Sequence, residues 1–163
     1  MSGISIPEFL DVLKPQLEAH ADLLALTPVP KIYTAWPTLD YSVTDSVICG
    51  YDTRSPREPS SLGRNRVDEL AVLDSSVRVM RAGAGEVVVK EARDRAKLIV
   101  TAVDNSLRTN HPELAGADDD VLWSRIGSYE LAQFPDPGGG DPAVPLRICV
   151  VEFEIIYRAR VAV

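Results

Sequence analysis

The stretch that decides the fold is CVVEFEIIYRARVAV, residues 149–163. Every second residue forms one set: Cys149, Val151, Phe153, Ile155, Tyr157, Ala159 and Val161. The intervening set carries Glu152, Glu154, Arg158 and Arg160. Side chains alternate across a strand, so this period of two predicts a long β-strand with one apolar and one charged face. A slip of one residue would expose the whole apolar set, which fixes the register. At about 3.3 Å per residue the strand spans on the order of 45–50 Å, more than a small domain needs. Part of it is therefore expected to project, to bend at a bulge or to pack on another subunit.

Working upstream, VLWSRIGSYELAQF (121–134) reads as a second strand, joined to the last by the tip PDPGGGDP (135–142). Two consecutive strands around a Gly-Pro tip predict an antiparallel hairpin. Before them, EVVVKEARDRAKLIVTAVDNSLRTN (86–110) has Val88, Ala92, Ala96, Ile99, Val103 and Leu107 on one stripe. That spacing predicts a long amphipathic helix with Lys90, Asp94, Lys97 and Asp104 facing water. VDELAVLDSSVRVMR (67–81) reads as a strand, with a bulge expected at Asp74–Ser76 where alternation breaks. SVICGY (46–51) is a short strand, and VPKIYTAWP (29–37) reads as an edge strand bracketed by Pro30 and Pro37.

At the N-terminal end, SIPEFLDVLKPQLEAHADLLAL (5–26) opens with the capping-box pair Ser5 and Glu8 and has helical apolar spacing. Pro15 removes a backbone hydrogen bond, so a kink or break is expected near Lys14. Between the strands, DTRSPREPSSLGRNR (52–66) has no periodicity and reads as a long mobile loop. The fold class is thus α+β: a mainly antiparallel sheet, an N-terminal helix and one long central helix packed on one face, and a C-terminal β-hairpin. The length predicts a single domain over residues 1–163.

The net charge of −7 and pI near 4.8 disfavour gripping a phosphate backbone, which calls for clustered cations. An acidic chain is compatible with lying beside DNA that must slide past. Cys49 and Cys149 sit in apolar strand-like runs and read as two reduced core thiols. No apolar run of about 20 residues suggests a membrane span, so assembly in a cytoplasm is expected.

The reactive constellations sought are missing. GAGEVVVK (83–90) lacks the Gly-Lys-Ser/Thr of a phosphate loop, and Glu86 suits a helix entry instead. His20 and His111 have no metal-ligand spacing around them. Asp118–Asp120 lack the glycine and terminal glutamate of a calcium loop. A carboxylate nuclease built from Glu152, Glu154 and Lys90 would need a converging base that alternation does not provide. The expectation is no enzyme, no cofactor and no metal. The charged row Glu152, Glu154, Arg158 and Arg160 reads as a solvated face or as a surface docking on a second copy. The arginines Arg54, Arg57, Arg64 and Arg66 read as part of an arm that wraps a neighbour, offset by Asp52, Glu58, Asp68 and Glu69.

The order of elements, with YTAWPT (33–38) and the closing VEFEIIYRARV (151–161), resembles the tail-terminator proteins of long-tailed, non-contractile bacteriophages, particularly those of actinobacterial hosts. The likeness covers nearly the whole chain and is one of element order and texture. It implies an α+β subunit of a homohexameric ring in the virion neck. The ring would cap the tail tube protein, receive the head-completion or connector protein, and pass DNA through its lumen. Pro15 and the long middle loop depart from that pattern. The competing readings are another neck or tail component (a head-completion protein or tube subunit), a small metal-dependent hydrolase or nuclease, and a cytoplasmic ligand-binding module.

Overall fold

The computed structural model describes residues 5–38, 42–54, 57–59, 66–109, 120–135 and 145–162. In chain order the elements are α1 (Ser5–Glu18), α2 (Ala21–Leu24), β1 (Lys31–Tyr33), β2 (Asp45–Arg54), β3 (Arg57–Pro59), β4 (Arg66–Ala82), α3 (Glu86–Thr109), β5 (Asp120–Pro135) and β6 (Leu146–Ala162). The strands form one sheet of order β1-β2-β4-β6-β5, with β3 paired to β4. Among the described strands β1 and β2 run parallel and the other pairs are antiparallel. The architecture is α+β, as the patterning predicts.

The long terminal strand lies inside the sheet. β6 pairs with β4 without interruption from Leu146 opposite Ala82 to Ala162 opposite Arg66. On its other side it takes β5, completing the expected hairpin. Cys149, Val151, Phe153, Ile155, Tyr157 and Ala159 are all buried against the helices. From β4 the facing row is Ala71, Leu73, Val77 and Val79. Burying one such aliphatic or aromatic side chain contributes about 1.5–3 kcal/mol, so this alternation holds the register firmly.

Among the described residues, helices cover one face of the sheet. α3 buries Ala92, Ala96, Ile99, Val103 and Leu107, the expected stripe, together with Ala102 and Ser106. Val88 at its start is half-buried. α1 buries Phe9, Leu13 and Leu17, and Phe9 stacks flat on Tyr157 with ring centroids 3.9 Å apart. Gln16 of α1 donates to both the carbonyl and the hydroxyl of Ser106 on α3, joining the two helices.

Two local expectations are revised. Of the kink or break expected near Lys14, the break is absent: α1 continues to Glu18, and the Ala19 N–H still reaches the Pro15 carbonyl at 3.0 Å. Asp11 and Pro15 are both exposed, so the carbonyl deprived of its partner faces the solvent side. The chain turns at Ala19–His20 instead, before α2. Likewise β4 has no bulge at Asp74–Ser76, because its ladder with β6 is continuous. The irregularity falls on the opposing strand, between Ile48 and Asp52 of β2. Gly50 takes φ +66° there, a left-handed conformation that suits glycine, and its N–H is taken up by the Ser75 hydroxyl. Ser75 in turn donates to the Leu73 carbonyl. Ser75, which helps interrupt the pattern of β4, thus serves the neighbouring strand's bulge.

The stretch 52–66 is less irregular than its composition suggests. Asp52–Arg54 extend β2, Arg57–Pro59 form β3 and Arg66 opens β4. Residues 55–56 and 60–65 lie outside the described residues, as do the tip 136–144 and residues 110–119 with His111.

Cys49 and Cys149 are both buried and free. They lie on β2 and β6 with β4 between; two strand spacings, about 9–10 Å, separate them across the sheet and the register offsets them further along it, beyond disulfide reach. Burial pushes the Cys49 thiol up to about 12. It also raises Cys149, against the opposing hydrogen bond from Gln133 and the charge of Arg93. A disulfide-exchange reagent at pH 8 is therefore expected to leave both thiols unmodified in the native protein and to label both in denaturant. Fast stoichiometric labelling of Cys49 in the native state would contradict its burial.

Candidate functional site

The helix-free face of the sheet gathers the charged residues. In β6 it presents Glu152, Glu154, Arg158 and Arg160, as the alternation predicts. Register then brings companions from other strands. Asp52, Asp74 and Glu154 stand in line across β2, β4 and β6, and Glu130 of β5 stands opposite Glu152. Tyr51 lies among them. Its phenol is pushed up first by partial burial and then by the carboxylates of Glu152, Asp74 and Asp52. A shallow recess at the centre is lined by Tyr51, Asp74, Ser128, Glu130, Glu152 and Glu154.

Arg54 is the one expected arm residue whose side chain is described, and it joins this face. Its Nη2 lies 3.1 Å from both Asp74 and Glu154. Ser128 donates to the other oxygen of Glu154 at 2.8 Å. Glu154 is thus held within its own chain, while Glu152 is exposed. Arg57 and Arg66 are placed on β3 and at the start of β4 by their backbones alone, and Arg64 lies outside the described residues.

The basic half of the β6 row is also engaged internally. Arg158 Nη2 lies 2.9 Å and Arg160 Nε 3.0 Å from the two oxygens of Asp68 on β4. Arg160 and Asp68 are direct cross-strand partners, a pairing visible only once the β4–β6 register is known. The Arg160 hydrogen bond, followed by the Arg160 charge and the Arg158 contacts, holds the Asp68 carboxyl below its ordinary value of 3.8, outweighing the effect of burial. A depressed carboxylate contributes stability that is full above 3.8 and fades as pH falls through the lower folded-state value. Asp68→Asn is expected to cost about 1–2 kcal/mol at pH 7, modest because Arg158 is partly exposed. The difference from wild type should shrink below pH 3, measured as urea midpoints at both pH values. An undiminished gap at low pH would contradict the assignment.

The two edges of the sheet are unlike. At one end stands β1, three residues long, with Pro30 before it and the Lys14 ammonium donating to its Ile32 carbonyl at 3.2 Å. Trp36, just beyond, is 64% exposed and leans on Tyr51 with ring centroids 4.7 Å apart. At the other end stands β5, 16 residues long and bulged twice, between Val121 and Trp123 and between Ile126 and Tyr129. Bulges of this kind blunt an edge against indiscriminate pairing. At the second bulge Gly127 lets β6 come close: a Cβ there would stand 2.5 Å from Ile156 Cδ1. α3 supports the same place, since Asp104 accepts from the Ile126 N–H at 3.2 Å and Ser124 donates to the Leu107 carbonyl at 2.8 Å. Tyr129, next along the edge, is 72% exposed.

The acidic grouping around Tyr51 has no local signal in the sequence. Glu152 and Glu154 form a row there, but their neighbours Asp52, Asp74 and Glu130 are joined to them only by register. Among the described residues no group of three or more His, Cys, Asp or Glu is arranged to hold a metal ion, and no helix is long and apolar enough to cross a membrane. The chain matches no protein-family model and no curated protein.

Proposed function

We propose that this chain is a structural virion protein, the ring-forming tail terminator of a long, non-contractile phage tail. In this reading six copies close a ring that caps the tail tube protein. The opposite side of the ring receives the head-completion or connector protein, and DNA passes through the lumen. The observation that carries the reading is a sheet with two unlike edges and, among the described residues, a helix-free face whose centre around Tyr51 is acidic. A closed cyclic assembly joins different surfaces of successive copies, and unlike edges supply such a pair. An acidic patch turned to the lumen would repel passing phosphates there and disfavour adhesion of DNA. The likeness of element order to tail terminators adds support, from YTAWPT (33–38) to VEFEIIYRARV (151–161).

The test is light scattering and negative-stain microscopy of the purified chain. Rings of uniform diameter with a central channel are the expected result. Open-ended tubes would assign it to the tube instead, and solitary subunits at high protein concentration would overturn the ring.

A further inference from the structure

We infer that one inter-copy contact is formed by the acidic stripe of α1 seated in the groove between α3 and β5 of a second copy. This rests on the ring reading above and names the surfaces that would close it.

The groove is lined by Arg93, Lys97, Val100 and Thr101 of α3, by Tyr129 and Leu131 of β5, and by Val151 at its floor. Its apolar part is open: Tyr129 is 72% and Leu131 44% exposed, at an edge that no strand of this chain covers among the described residues. Its charged part is cationic. Arg93 and Lys97 are exposed and stand one helical turn apart, and no carboxylate among the described residues pairs with either. Two neighbouring pairs of α3 are matched within the helix, Lys90 with Asp94 and Arg108 with Asp104. The groove thus offers two unspent positive charges over an apolar floor.

The complementary surface lies at the opposite end of the sheet, where α1 sits beside β1. Pro7, Glu8, Asp11, Pro15 and Glu18 are exposed along one side of α1. Glu18 is engaged by Lys14. Glu8 and Asp11 have no cationic partner among the described residues and are also one turn apart, so their spacing of about 5 Å along the axis matches the roughly 6 Å of Arg93 and Lys97. Pro7 and Pro15 bring apolar surface between and beside the carboxylates, facing Tyr129 and Leu131. Because donor and acceptor surfaces lie at opposite sheet ends, the contact is head-to-tail, the kind that closes rings. The acidic sheet face is the weaker candidate occupant: seating it in the groove would remove it from the lumen, and Arg54 already offsets part of its charge.

The full chain tests this by light scattering with reversed charges. Wild type is expected to assemble, and to disperse as salt rises from roughly 50 mM to roughly 0.5 M, where exposed pairs are screened. Arg93→Glu with Lys97→Glu should abolish the assembled species, as should Glu8→Lys with Asp11→Lys. All four residues are exposed, so the melting temperature of each dissociated variant is expected to stay within a few degrees of the other. Mixed in equal amounts, the two variants should assemble again, since each supplies the surface the other lost. Wild-type assembly with no loss in the Arg93/Lys97 variant would overturn this contact and leave the ring standing. Failure of the folded variants to recover on mixing would overturn the pairing of α1 with the groove. A monomeric wild type would overturn the ring itself.

Discussion

Phe9→Ala is expected to destabilise the chain by about 3–5 kcal/mol, the largest effect of any single α1 substitution considered. Phe9 is fully buried, and its ring lies 3.9 Å and within 6° of parallel to that of Tyr157, itself fully buried at the heart of β6. Truncation removes the ring's apolar burial, leaves a void between helix and sheet, and strips the partner from the opposing aromatic face. Around it α1 is held by Leu13, Leu17 and the Gln16 contacts to Ser106, so the cavity cannot collapse freely. Phe9→Leu should recover a large part of the loss, since it restores most of the volume. Chemical denaturation measures both. Hydrogen exchange adds a second readout: α1 amides should lose protection before those of β4 and β6. If α1 presents Glu8 and Asp11 to a neighbour, the same substitution should weaken assembly at temperatures where the sheet is still folded. A loss under 1 kcal/mol would show that the stacked pair is not an anchor.

The second large effect is expected at Asp45. Its side chain is fully buried at the start of β2 and meets two guanidinium groups. Arg81 Nη1 of β4 stands 2.6 Å from one oxygen, and Arg95 Nε of α3 stands 2.7 Å from the other. Arg95 reaches further, donating to the Pro28 carbonyl. One carboxylate therefore joins two strands, the long helix and the segment leading into β1. Asp45→Ala leaves two mostly buried cations side by side without a counter-charge, and removing one member of a buried ionic cluster costs about 3–5 kcal/mol. For a chain of this size that corresponds to a melting temperature lower by roughly 6–20 °C. Replacing Asp45, Arg81 and Arg95 together by apolar residues should cost less than Asp45→Ala alone, because the penalty arises from stranded charge and not from lost attraction. Calorimetry on the single and triple variants separates the two accounts. A triple variant less stable than the single one would favour the attraction itself.

Much of the framework could be read from the chain because its signals are local. The β6 alternation, the α3 stripe and the Gly-Pro tip before β6 each carry their meaning within one or two elements. What could not be read depends on which strand lies beside which. The insertion of β6 between β4 and β5 brings Asp68 to Arg160 and Asp74 to Glu154, and neither pairing has a sequence signature. The break at Asp74–Ser76 was visible, but its cause lies in Gly50 on another strand, whose N–H the Ser75 hydroxyl receives. Pro15 reads as a kink or break because propensity treats all helix interiors alike, whereas α1 runs on through it with the unpaired carbonyl on the solvent side. For the candidate surfaces the same division holds. Lys97 was recognisable as facing water, but its groove exists only because the bulged edge of β5 passes beneath α3.

The placement of β6 carries a consequence for how the molecule matures. β4 is made long before its partner strand, and until β6 slots in, β4 and β5 have no ladder between them and are related only through α3, which bonds β5 at Ser124 and Ile126. Non-local pairing of this sort pays its closure entropy before any reward, which sets a slow tempo for acquisition of the native state, on the order of milliseconds to seconds. Until then the apolar rows of β4 and β5 lack the strand that fills the gap between them, so native protection of both is expected to arrive together with the seventeen-residue β6.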